Sequence, residues 1–239
     1  MMTLKEHMDI SAWMKNPALF ETRTKSLSVI DRLNLFKKIQ ETYPLKSIPY
    51  DKREVPFIVY DNVFDLVLGQ FIMIEQIFTG KAGVPEEYID FSILKIILRP
   101  KGDTEFDNTD KVKEAEHTKS VLDMDVTLAM SILKRFVDDR NKVLFNDFKG
   151  VFYDPDSSKG EEEEKESDLD KSQMTFEYKF KEQWYWYNIV RNLAGENILN
   201  YDKIYMLKME SVLPELSFLI QKAKIEKAQE FRNRVANKL

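Results

Sequence analysis

Cysteine is absent from the 239 residues, so disulfides and thiolate metal ligands are excluded and a reducing compartment is the expectation. Histidine is almost as scarce. His7 and His117 are too few for a His-rich zinc site, and the lack of cysteine already rules out a Cys-His catalytic pair. The seven glycines, at 69, 80, 83, 102, 150, 160 and 195, never form the closely spaced loop that cradles a phosphate ahead of a helix. No stretch approaches the about 18 uncharged apolar residues of a membrane span. The opening Met-Met-Thr-Leu-Lys-Glu-His-Met-Asp has no apolar core of signal-peptide type. A net charge of −5 does not supply the basic field that general nucleic-acid binding needs. These absences point to a non-enzymatic protein without metal or cofactor, located in a cytoplasm or in a larger soluble assembly.

What is present is apolar periodicity. The 43% hydrophobic content is ample for a core. The pattern predicts a mainly α fold: a helical core with at most a short β segment, an acidic linker, and a C-terminal helical region ending in a long helix. Residues 1–25 read as an arm carrying the apolar hooks Trp13, Met14, Leu19 and Phe20, of a kind that wraps a neighbouring subunit. The core follows over 26–153. Its first helix carries Leu27, Ile30, Leu33, Phe36 and Ile39 on one face and stops before Pro44. Val55-Pro-Phe-Ile-Val-Tyr is β-branched and aromatic, and its proline confines it to a sheet edge.

Two adjacent apolar helices form the centre of this core. The first, Val63 to Phe78, is apolar nearly all round and therefore buried on more than one side; Thr79-Gly80 closes it. The second opens at Pro85-Glu-Glu, runs from Tyr88 through Leu98 and stops at Arg99-Pro100. Residues 101–124 read as a loop with a short helix around 111–119 and with His117 at the surface. Asp123 or Asp125 then caps a helix through Phe136, and Leu144, Phe145, Phe148 and Phe152 continue into another. Residues 154–171 are the acidic linker; between Asp154 and Asp170 nine acids face two lysines, too little apolar surface to offset the entropy of ordering.

The C-terminal region, 172–239, carries the most distinctive stretch. Trp186, Ile189, Val190, Leu193 and Ala194 recur at helical spacing, and Gly195 ends that helix in the left-handed conformation glycine tolerates. Trp184, Tyr185, Trp186 and Tyr187 cannot all point one way on a helix. The cluster reads either as packed core or as an aromatic anchor for another subunit. Asn200 leads a short helical turn, and a long helix starts near Ser211 with Pro214 in its first turn. Its seam is Val212, Leu216, Leu219, Ala223, Ala228, Phe231 and Val235. From Lys222 onward six cations, among them Lys227, Arg232 and Arg234, face only Glu226 and Glu230. They either complement the helix dipole or dock on an acidic partner.

Metal-site patterns fail on inspection. Asp154, Asp156 and Ser158 fit positions one, three and five of a calcium loop, but Lys159 and Lys165 stand where glycine and the bidentate glutamate belong. Pro155-Asp156 with Glu163-Glu164-Lys165 matches the order of a nuclease motif but lacks the β-branched residues of its supporting strands. Asp123 and Asp125 could share a metal, and helix capping explains them equally well.

Two stretches carry a family resemblance. Phe64-Asp-Leu-Val-Leu-Gly-Gln-Phe-Ile-Met-Ile-Glu is followed some twenty residues on by Ile93-Leu-Lys-Ile-Ile-Leu-Arg-Pro. Later comes Trp184-Tyr-Trp-Tyr-Asn-Ile-Val-Arg-Asn-Leu-Ala-Gly-Glu-Asn-Ile-Leu-Asn-Tyr-Asp-Lys-Ile-Tyr. In this order they resemble segments of small virion and tail-assembly proteins of tailed phages with Bacteroides-type hosts, including the crAss-like phages. The resemblance implies a structural or assembly role in a phage without choosing between them. Together with the apolar arm carrying Trp13, the aromatics at 184–187 and the absence of catalytic residues, it makes a non-enzymatic virion protein assembled in the host cytoplasm, a ring or neck subunit between portal and tail, the leading expectation. Its partners would be the portal, neighbouring ring or tail proteins and further copies of itself, with no membrane and no specific nucleic acid. A tail-assembly chaperone is the alternative, and a small metal-dependent nuclease a third. The partner-binding candidates are Trp13, Phe20, Trp184, Tyr185, Trp186, Tyr187, Lys227, Arg232 and Arg234.

Overall fold

A computed structural model describes residues 2–15, 27, 28, 30, 31, 34, 35, 38, 48–102, 110–152 and 183–236, with side chains through 11 in the first stretch and through 234 in the last. Phe20 and the acidic segment 154–171 lie outside the described residues, as does the side chain of Trp13. Among the described residues the fold is mainly helical, with one small antiparallel sheet.

In chain order the elements are α1 (Leu4–Lys15), β1 (Phe57–Val59), α2 (Leu68–Phe78), α3 (Ile89–Ile97), β2 (Leu98–Pro100), α4 (Lys111–Leu122), α5 (Val126–Lys142), α6 (Lys149–Phe152), α7 (residues 183–193), α8 (Tyr201–Tyr205) and α9 (Met209–Ala236). Residues 30, 31, 34, 35 and 38 are helical as expected, although Ile30 is exposed. The helix expected over 63–78 begins instead as a 3-10 turn, Val63–Asp65, before α2 proper. Gly80, at φ 71°, closes α2 in the left-handed region, and the Thr79 hydroxyl donates to the Glu75 carbonyl.

The chain folds as two compact units that interleave along the sequence: residues 1–62 with 73–139, and residues 63–72 with 140–239. The sequence reading drew consecutive segments, with the division at the acidic stretch. α2 is shared, its first five residues belonging to the second unit and its last six to the first. None of its residues is exposed, as an apolarity that runs nearly all round the helix predicts.

In the first unit the N-terminal residues are core. Met2, Leu4 and Ile10 are buried, and backbone bonds from Leu4 N–H to the Met124 carbonyl (2.8 Å) and from Val126 N–H to the Met2 carbonyl (2.9 Å) tie the start of α1 to that of α5. α1 opens with a reciprocal cap: the Thr3 hydroxyl accepts from Glu6 N–H (3.2 Å) and Glu6 accepts from Thr3 N–H (2.9 Å). This part of the expected arm is therefore built into its own unit. β1 pairs with β2, Phe57 opposite Pro100 and Val59 opposite Leu98. The helix expected to run through Leu98 stops at Ile97, because Leu98 turns extended to join this sheet; both strands are edges, which accommodates Pro100.

α4 is longer than expected. The Asp110 carboxylate caps it by accepting from the Val112 and Lys113 amides, and Val121 on its inner face is buried. Of the two candidate caps for α5, Asp125 is the one used, accepting from Leu128 N–H at 3.1 Å.

In the second unit, an isolated antiparallel bridge between Val67 and Lys208 pins the start of α2 to the start of α9, with Leu68 N–H donating to the Leu207 carbonyl and Met209 N–H to Leu66. Leu66, Leu68 and Phe71 then share a core with Val143, Leu144, Val190, Met209, Val212 and Leu213. Gly69 keeps α2 close to α8: a Cβ there would lie 3.4 Å from the Tyr205 carbonyl oxygen. A π turn, Val143–Asp147, continues α5 and closes with Phe148 N–H donating to the Val143 carbonyl.

Candidate functional site

The aromatic segment lies on α7. Trp186 faces inward, edge-on to Phe71 (centroids 5.7 Å apart) and tilted against Phe152 (6.3 Å). Trp184, Tyr185 and Tyr187 are 36–41% exposed. Trp186 packs into the second unit's core, as the packed-core reading has it, and its three neighbours present aromatic surface. Trp184 packs edge-on to Tyr187 at 5.3 Å, Tyr187 likewise to Tyr201 at 5.9 Å, and the Tyr185 hydroxyl donates to the Val151 carbonyl (3.2 Å). These contacts restrict the rings, so a partner meeting them would order little that is not already ordered.

α7 ends as its glycine predicts. Gly195 has φ 61°, Glu196 N–H reaches back to the Arg191 carbonyl (2.9 Å) and Gly195 N–H to Asn192 (3.1 Å), the paired bonds of a Schellman closure. Glu196 also has a positive φ, 62°. An L-residue there costs about 1 kcal/mol, more than its exposed ion pair with Arg191 returns. Glu196→Gly is expected to stabilise the second unit by about 0.5–1 kcal/mol in urea unfolding, and an unchanged midpoint would show that the left-handed turn carries no strain. The cap of the next turn belongs to Asn197, whose side chain accepts from Leu199 N–H, and not to Asn200, which makes no side-chain cap.

α9 starts at Met209, two residues before the expected start, so Pro214 falls inside the helix rather than in its first turn. The missing N–H leaves the Glu210 carbonyl without its helical donor, and exposed Glu210 can turn it to water. The predicted seam divides. Met209, Val212, Leu213 and Leu216 are buried, whereas from Gln221 to Arg234 every side chain is exposed, including Ala223, Ala228 and Phe231. Ser217, Leu219 and Ile220 are half-buried, and full exposure begins at Gln221. Lys227, Arg232 and Arg234 all lie on the exposed stretch; Arg234 approaches Glu230 at 4.0 Å.

Sequence reasoning missed the rest of this surface. Ile198 and Leu199 are 71% and 82% exposed, and Phe218, Ile225 and Phe231 are exposed on α9. The signal in the sequence was the heptad spacing of Phe218 and Ile225, which falls opposite the buried 209-212-213-216 face; Phe231 shares the azimuth of that face and is exposed because it lies beyond its buried part.

The first unit holds two polar features. Asp61 is 2% exposed and receives the Tyr50 hydroxyl (2.7 Å), Arg135 Nε (3.1 Å) and the Lys52 ammonium; the Arg135 guanidinium also lies 6.0 Å over the Tyr50 ring. Burial, reinforced by the hydrogen bond to Asp61, pushes the Tyr50 phenol well above its usual range, so it stays a donor at any ordinary pH. His117, expected at the surface, is 4% exposed, with Nε2 3.0 Å from the Lys95 carbonyl and Phe57 edge-on at 6.0 Å. It shares its face of α4 with Val121, four residues on, and that spacing could have placed it inside.

Burial holds the His117 imidazole below its usual range near 6.5, and burial does the same at His7 against an opposing pull from Asp90. A histidine whose pKa is depressed in the folded state keeps its stability above the unfolded value and loses it as pH falls. The first unit is therefore expected to weaken below about pH 6.5, with a slope no steeper than about 1.4 kcal/mol per pH unit for each histidine. His117→Gln should flatten the fall between pH 7 and 5.5 in urea titrations. An identical slope in the variant would remove His117 from the account.

Among the described residues no group of three or more His, Asp or Glu side chains could hold a metal ion, and no helix is long and apolar enough to cross a membrane. Asp125 serves as a helix cap, while Asp123 lines an 830 Å³ cleft with Phe57, Arg99 and His117. No protein-family model, curated protein or solved structure matches this chain.

Proposed function

We propose that this chain is a non-enzymatic structural protein of a tailed-phage particle, an oligomeric ring or neck component between portal and tail that works by binding other proteins. The observation that supports partner binding is the concentration of exposed apolar side chains in the second unit: three aromatics of α7, Ile198 and Leu199 after it, and Phe218, Ile225 and Phe231 on α9. Exposed apolar area on this scale marks interaction surface more often than it marks an isolated monomer. The phage assignment rests on the resemblance of the stretches 64–75, 93–100 and 184–205. The same surface suits a tail-assembly chaperone, which would leave before the particle is complete.

Quantitative mass spectrometry of purified particles, compared with lysate of infected cells, separates the two. Presence near the stoichiometry of the portal supports the ring reading. Abundance in lysate with absence from particles supports the chaperone, and absence from both overturns the phage assignment.

A further inference from the structure

The exposed part of α9, residues 221–234 with Phe218 ahead of it, is about 21 Å of helix. Isolated helices of this length are marginal in water, and their stability comes from packing an apolar face. At 100° per residue Phe218, Ile225 and Ala228 fall within about 80° and Phe231 about 60° beyond, together a broad stripe, with Phe218, Ile225 and Phe231 59%, 59% and 69% exposed. Lys224 and Arg232 lie inside that stripe, and Lys227 borders it. Among the described residues Lys224, Lys227 and Arg232 make no ion pair, whereas Lys222 approaches Glu226 at 3.9 Å. α9 from Lys222 onward carries five cations against two carboxylates, in a chain whose net charge is −5.

We propose that this stripe is the docking face for an acidic amphipathic helix of a partner protein. Shape and charge select that occupant together. Phe218 and Ile225 are one heptad apart and Ala228 three residues further on, the spacing that receives the apolar edge of another helix, and the interleaved cations need acidic neighbours once water is excluded. A second copy of α9 fits poorly, because pairing would bring Lys224, Lys227 and Arg232 of both copies onto one seam. The inference rests on the reading of the second unit as partner-binding and names the chemistry of the partner; it does not depend on whether the chain remains in a particle.

The test uses the full chain and a labelled synthetic amphipathic peptide of about three heptads, leucine on one face and glutamate on the flanks, beside the same peptide with lysine for glutamate. Fluorescence anisotropy should show the acidic peptide binding at least about tenfold more tightly than the basic one, with the difference shrinking as salt is raised. Ile225→Asp and, separately, the pair Lys224→Glu with Lys227→Glu should each abolish binding; these side chains are exposed, so the melting profile should be unchanged. Equal binding of the two peptides, or of neither, overturns the proposal. Self-association of the free chain that Ile225→Asp dissolves would make a second copy the occupant. A gain of about tenfold or more on deleting 154–170 would make the chain's own acidic segment the occupant, and either result overturns the assignment to a partner protein.

Discussion

Replacing Phe71 by alanine is expected to destabilise the second unit by about 3–5 kcal/mol, the usual cost of emptying a fully buried phenylalanine site. Phe71 has no exposed surface, and its ring meets Phe152 at 6.0 Å and Trp186 at 5.7 Å. Removal takes away the transfer energy of the ring and both edge contacts, and α2 is held there by its backbone bridge to α9, so the cavity cannot readily collapse. Trp186 is the local reporter. Its near-UV circular dichroism and fluorescence should shift to lower denaturant in Phe71→Ala, while Phe71→Leu loses much less. A cost under about 1 kcal/mol would mean that the three rings do not pack as a unit.

Asp61→Ala carries the second large effect, in the first unit. The buried carboxylate takes a phenol, an ammonium and a guanidinium, and no other described side chain accepts from the Tyr50 hydroxyl. Deletion leaves that hydroxyl unpaired and two cations without their anion. Lys52 and Arg135 are 40% and 63% exposed at the side chain, so water recovers part of their loss. The expected cost is about 2–4 kcal/mol, below that of breaking a wholly buried pair. Asp61→Asn, which keeps an acceptor for Tyr50, should recover part of it. If Asp61→Ala unfolds at the same urea concentration as the parent, the cluster contributes no net stability. Since the chain has two compact units, a probe local to each is needed, and one global midpoint would blur the two effects.

Both predictions concern sites whose existence the sequence revealed only in part. Helical periodicity located α2, α3, α5, α7 and α9, and turn chemistry located their ends at Gly80 and Gly195, because these depend on residues a few positions apart. The proline of Val55-Pro-Phe-Ile-Val-Tyr marked an edge strand, yet its partner Leu98–Pro100 passed as the end of a helix. Strand pairing joins residues some forty positions apart, and nothing local announces it. His117 was misplaced for a related reason: its charged neighbours in sequence are not its neighbours across α4. The aromatic run was legible to the extent that helix geometry forbids four consecutive rings from facing one way. Which ring turns inward depended on Phe71 and Phe152, contributed by α2 and α6.

The sequence by itself determined the helical class of this protein, the exclusion of thiol chemistry, the glycine-closed ends of α2 and α7, and the basic character of its last helix. All of these are set by composition or by interactions within one or two turns. Tertiary structure alone decided that α2 runs from one compact unit into the other, that Met2, Leu4 and Ile10 are core, that Asp61 gathers Tyr50, Lys52 and Arg135, and that the seam of α9 is buried to Leu216 and bare from Gln221 on. A periodic apolar stripe states that a face wants covering. What covers it is supplied by residues distant in the chain, and where that covering stops the surface left over is the candidate site.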